Sequence, residues 1–206
     1  MTSLDTVTLE VADPAAAERF YAAAFGLGPE LRLRASQEPA AGFRGFTLSL
    51  TTSQPADVDA LLDAALQAGA TTLKPAAKSL WGYGGVVQAP DGAIWKVATS
   101  AKKDGGPARR EFEAVVLLLG VADVAASKQF YRDQGFTIAR SFGRRYVEFD
   151  SGPVKLALYR RRALAKDAGV APDGSGSHRI ALGGDVRPFT DPDGFTWETA
   201  PSPALS

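Results

Sequence analysis

One phrase occurs twice in this chain. "APDGAIWKVAT" (residues 89–99) and "DPDGFTWETA" (191–200) share a Pro-Asp-Gly turn and a short alternating strand with Trp at the same step. The openings match as well. Val11-Ala12-Asp13 and Phe20-Tyr21 recur as Val121-Ala122-Asp123 and Phe130-Tyr131, each 110 positions on, whereas the closing turns are 102 apart. Self-similarity at a fixed spacing marks a duplicated unit. It predicts two homologous halves, 1–100 and 112–206, the second trimmed. Residues 101–111, polar and containing Gly-Gly-Pro, read as the linker.

Local patterns supply the elements. Val7, Leu9 and Val11 alternate with Thr6, Thr8 and Glu10, as in a half-buried strand. Asp13 and Asp123 can cap the helices that follow, and Pro14 suits a first turn. Ala17, Phe20, Tyr21 and Phe25 form one stripe of the first helix, which stops at Gly26. The first half reads β-α-β-β and then α-β-β-β, with its second helix at 56–70. In the second half, strands are expected at "FEAVVLLLGV", "FTIARSF", "RRYVEFD" and "PVKLALYRR", with a helix at "DVAASKQFYRDQGF". A loop with a helical start and the strands "HRIALGG" and "GFTWETA" complete it. A second helix and one hairpin are missing from that copy.

Composition narrows the function. Lys plus Arg and Asp plus Glu number 23 each, which points away from nucleic acid and anionic membranes as main partners. The short basic clusters at 109–110, 144–145 and 160–162 read as solvated surface. There is no cysteine, so disulfides, thiolate catalysis and cysteine-bound zinc are excluded. No apolar run is long enough to span a bilayer and no signal peptide is recognisable. The expectation is a cytoplasmic protein without nucleic-acid or membrane partners, monomeric or homodimeric. Its Ala, Gly and Arg content suggests a bacterial source.

The alternating opening strand, Val-x-Asp, a helix ending Phe-Tyr and a closing Asp-Pro-Asp-Gly-x-x-Trp-Glu strand together resemble the glyoxalase / bleomycin-resistance / extradiol dioxygenase family, the vicinal oxygen chelate superfamily. The resemblance covers both halves. It implies an α+β fold of tandem domains built from paired βαβββ modules, whose curled mixed sheets form cups. Whether modules pair within a half or across halves stays open. It also implies divalent-metal ligands on the concave face: a His on each module's first strand and a Glu on the last. Members lacking these ligands sequester small molecules in the same cup.

Carried over to this chain, those positions are largely vacated. Thr6 stands at the first His position and Lys96 at the Glu position of the first half; an ammonium repels a divalent ion. In the second half Val116 replaces the first His, while His178 and Glu198 survive. These two are short of the usual three protein ligands; Glu148, Asp150 or the loop around Asp173 could supply a third, with no spacing that selects among them.

The leading expectation is therefore a metal-free, cofactor-free cup that binds a small aromatic or apolar molecule through Thr6, Phe46, Trp81, Tyr83 and Lys96. Lys96 could pair with a ligand carboxylate or phenolate, or could snorkel at the rim. Tyr146 and Tyr159 are weaker candidates of the aromatic kind. The alternative is a metal-dependent lyase or dioxygenase with a divalent metal on His178 and Glu198. A third possibility is structural, the trimmed half serving to cover a sheet edge of the first.

Overall fold

The computed structural model describes residues 2–80 and 82–200. The first half runs β1 (Thr6–Val11), α1 (Pro14–Ala24), β2 (Leu31–Ala35), β3 (Ala41–Gly42), β4 (Phe46–Thr51), α2 (Pro55–Gln67), β5 (Thr71–Ser79), β6 (Gly82–Gln88) and β7 (Ile94–Thr99). The second half runs β8 (Ala114–Val121), α3 (Val124–Asp133), β9 (Thr137–Phe142), β10 (Tyr146–Asp150), β11 (Val154–Arg160), α4 (Arg161–Ala168), β12 (Gly174–Ser175), β13 (Ile180–Gly184), β14 (Phe189–Thr190) and β15 (Thr196–Thr199). A 3₁₀ turn, Ser177–Arg179, precedes β13. Asp13 and Asp123 cap α1 and α3 through their side chains, and Pro14 opens α1.

The strands form an eight-stranded sheet ordered β5-β6-β7-β4-β8-β11-β10-β9, a five-stranded sheet ordered β14-β15-β13-β1-β2 and a two-stranded β12-β3 pair. Each large sheet takes strands from both halves. β4 pairs antiparallel with β8, from Phe46↔Leu119 to Thr51↔Ala114. β1 pairs antiparallel with β13, from Thr6↔Gly183 to Leu9↔Ile180. The modules therefore associate across the duplication. Two complete modules, β4 to β7 and β8 to β11, build the larger sheet. Two abbreviated ones build the smaller: β2 lies parallel to β1, the place that β7 takes beside β4, and β13 to β15 carry no helix between them.

Strand parity sorts the side chains. Leu9, Leu48, Trp95, Leu117, Leu156, Leu182 and Trp197 are each at most 0% exposed and share one core cluster with the apolar faces of α1, α2 and α3. That single cluster draws on both sheets and both halves. The linker is tied to it. Gln54 Oε1 accepts from the N–H groups of Gly105 and Gly106 at 2.8 and 3.0 Å, and Asp57 Oδ1 accepts from Arg109 N at 2.7 Å. Burial pushes the Asp57 carboxyl up, but bonds from Gln54, Arg109 N–H and Ser53 outweigh it and hold the group below the usual range. Two of the basic clusters also have structural partners: Arg110 donates to the Ala23 carbonyl at the end of α1, and Arg161 donates to the Phe43 and Gly174 carbonyls.

The repeated Trp strands meet the repeated helices at a buried tyrosine. Tyr21 Oη donates to Asp91 Oδ2 at 2.7 Å and accepts from Trp95 Nε1 at 3.3 Å. Tyr131 Oη donates to Asp191 Oδ2 at 2.7 Å and accepts from Trp197 Nε1 at 3.2 Å. The wiring is the same, yet the carboxylates come from non-equivalent positions. Asp193, the counterpart of Asp91, instead accepts from Ala122 N and Ser127 Oγ, and Ala89 stands where the second copy has Asp191. Gly92 and Gly194, at φ +87° and +90°, let both turns close. Burial, then the neighbouring carboxylate, raises both phenols well above their ordinary range, so each stays a donor.

Replacing Tyr131 by Phe leaves Asp191 Oδ2 and Trp197 Nε1 without this hydroxyl. The expected cost is about 1–3 kcal/mol, read as a lower urea midpoint. An unchanged midpoint contradicts the hub.

Candidate functional site

Two concave faces result, one per large sheet. On the larger, Lys155, Val116, Ser49, Lys96, Val86 and Lys74 form a single rung from β11 to β5. The chain fills much of this face itself. Leu164, Ala165 and Ala168 of α4 pack with Phe43, Val86 and Ile94, against Leu118 and Tyr159. Charge fixes the far end of α4: Lys96 Nζ lies 2.7 Å from Asp167 Oδ2, and Lys74 Nζ donates to the Lys166 and Asp167 carbonyls at 2.6 and 2.7 Å. A lysine at a helix C-terminus complements the dipole as well as the free carbonyls. Beside α4 a hollow of about 250 Å³ remains, whose lining includes Lys74, Lys78, Tyr83, Val86, Lys96 and Asp167.

The smaller concave face carries Thr6, Thr8 and Glu10 from β1, Arg32 and Arg34 from β2, and Glu198 from β15. Arg34 Nη1 and Nη2 donate to Glu198 Oε1 and Oε2 at 2.8 and 2.6 Å, and Nη1 also reaches Glu10 Oε1 at 3.3 Å. The Arg34 hydrogen bonds hold the Glu198 carboxyl below its ordinary range, against the opposing effect of burial. A hollow of about 240 Å³ lies here, bordered by Thr6, Thr8, Arg32, Arg34, Gly183 and Glu198. Gly183 is required by close approach: a Cβ there would collide with Thr6 Oγ1.

Of the four expected ligand-binding residues that the structure describes, Lys96 and Tyr83 share a hollow and Thr6 and Phe46 lie elsewhere. Thr6 lines the smaller hollow and Lys96 the larger one. Phe46 is 2% exposed within the core cluster, because the parity of β4 turns Phe46, Leu48 and Leu50 toward the helices; its place is packing rather than a cup wall. Tyr83 borders the larger hollow, and its hydroxyl donates to Asp59 of α2 at 2.7 Å. Trp81 lies outside the described residues. Tyr146 donates to Glu148 Oε2 at 2.8 Å and meets Tyr159 edge-on, with ring centroids 6.1 Å apart.

The residues present do not fit the metal that the resemblance implies. His178 is exposed in the 3₁₀ turn before β13. Both Glu198 oxygens face the Arg34 guanidinium, and Glu148 is bonded to Tyr146. Among the described residues no group of three His, Cys, Asp or Glu could hold a metal ion. Sequence reasoning missed Arg34, Asp167 and Lys74. Arg34 and Glu198 are 164 positions apart, and α4 is only eight residues long and polar over most of its surface. The only local hint was the Arg32/Arg34 alternation.

The model for "Bleomycin resistance protein-like N-terminal" matches residues 114–152, which span β8 to β10. Among solved structures, glyoxalase I from Zea mays aligns with a TM-score of 0.63 at 15% identity, over 96% of this chain and 91% of that one. A putative dioxygenase from Bacillus subtilis subsp. subtilis str. 168 aligns with a TM-score of 0.53 at 12% identity, over 88% and 69%. No curated protein matches the sequence. The fold is that of glyoxalase I, and residues 114–152 resemble the bleomycin-resistance proteins. Among the described residues no helix is long and apolar enough to cross a membrane.

The Arg34–Glu198 pair sets a pH expectation. A carboxyl whose folded value is lowered contributes stability above its unfolded value, 4.5, and loses it as pH falls through the folded value. Replacing Arg34 by Met is expected to return the Glu198 titration, followed by carbon NMR, toward 4.5. A midpoint that does not rise contradicts the pairing.

Proposed function

We propose that the chain is a metal-free binding protein that holds a small molecule with an aromatic or apolar body and an acidic group, in the hollow beside Lys96. The observation that carries this reading is an imbalance of charge. Lys74, Lys78 and Lys96 border the hollow with a single carboxylate, Asp167. The Lys96–Asp167 pair is partly solvated, with side chains 35% and 44% exposed, so its two ions are held together by no more than about 1 kcal/mol. An incoming carboxylate or phenolate can exchange for Asp167 on Lys96. Ala98 and the glycine-rich backbone of β6 border the hollow where its body would lie.

The side chains at the expected ligand positions support the metal-free part. Lys96 bears positive charge at the position where a chelating carboxylate is expected, and Glu198 is already engaged. The fold sets only a prior on activity, so the reading rests on these side chains.

Calorimetric titration with benzoate, salicylate and their neutral amides tests it. The acids are expected to bind and the amides to fail. Lys96→Met is expected to abolish binding, and Asp167→Asn to tighten it by up to about fivefold, the equivalent of the lost competing pair. Equal binding of acids and amides, or binding indifferent to Lys96→Met, contradicts the proposal.

A further inference from the structure

The smaller concave face holds polar groups that the fold leaves unused. Thr6 and Thr8 are 7% and 8% exposed, and among the described residues neither hydroxyl has a hydrogen-bond partner. Both border the hollow of about 240 Å³. Among the described residues no fully buried side-chain polar atom lacks a partner, so both hydroxyls open onto the hollow and are available to a ligand. Arg32 adds a cation. It sits beside Thr8 in the β1–β2 register, and among the described residues it makes no ion pair or side-chain hydrogen bond. Its neighbour Arg34, two residues along the same strand face, is already committed to Glu198. That ion pair spans from β2 to β15, with β1 and β13 between them, and so closes one side of the hollow.

We propose that this hollow is a second binding site, for the oxyanion of a compact polar molecule, either a carboxylate or a phosphate. The Arg32 guanidinium and the Thr8 hydroxyl donate to the oxyanion, which accepts from both. The Thr6 hydroxyl, standing over Gly183, donates to a neighbouring oxygen of the same molecule. The hollow, of about 240 Å³, has room for a small acid. The Arg34–Glu198 clasp supplies both a donor edge and an acceptor edge, so ligand hydroxyls are also met. This site is separate from the hollow at Lys96, and neither depends on the other.

Amide NMR of the full chain tests the assignment, with inorganic phosphate and malate titrated separately. Saturable shifts at Thr6, Thr8, Arg32 and Gly183 are expected with at least one of them, and which one responds identifies the source of the oxyanion. Arg32→Ala and Thr8→Val are each expected to weaken binding by about tenfold or more. Thr8→Ser, which keeps the hydroxyl, and Lys96→Met, in the other hollow, are expected to leave it unchanged. Arg32 is exposed, so its variant decides the matter should Thr8→Val fail to fold. Shifts that never saturate with either probe overturn the proposal, as does saturation indifferent to Arg32→Ala.

Discussion

Two antiparallel strand pairings, β4 with β8 and β1 with β13, hold the two halves of the chain in one structure. Each joins the first strand of one module to the first strand of a module from the other half. Backbone polar groups buried at such a seam must be paired, and here the partner is always the other copy. Everything else is arranged around that exchange. The core runs through both sheets, and the linker is fastened to α2 through Gln54 and Asp57. The two closing Trp strands reach their own helices through Tyr21 and Tyr131. Abbreviating one module of each half leaves the larger sheet complete and concentrates the losses in the smaller.

The Lys/Glu exchange on the repeated closing strands takes its meaning from this geometry. Lys96 belongs to the larger cup and Glu198 to the smaller, and each charge is met by an opposite one from elsewhere in the chain, Asp167 and Arg34 respectively. Neither ion is buried alone, which would carry a heavy desolvation cost. Neither is left free to chelate. The cups have thus diverged from one plan while each keeps a cation in excess. One is a lysine-rimmed hollow beside a short docked helix, and the other a threonine-floored hollow under an ion-pair clasp.

Much of the fold was legible because it is written in period and repetition. The alternation of Val7, Leu9 and Val11, the caps Asp13 and Asp123, and the twin Pro-Asp-Gly turns all give local signals that the packing agrees with. Phe46 was legible too, had its parity with Leu48 and Leu50 been followed; all three face the core. The charged contacts were not. Arg34 meets Glu198 and Lys96 meets Asp167 only after the sheets have formed. Helix α4 is short and polar, so what seats it is the concave apolar face it lands on rather than its own propensity.

The exchange of modules across the duplication is tested most directly by cutting the chain at its joint. A protease site placed between Gly105 and Gly106 and cleaved in the folded protein should leave fragments that elute together in size-exclusion chromatography at the position of the uncut chain. They should separate only in denaturant. Two independently eluting, folded halves would contradict the account.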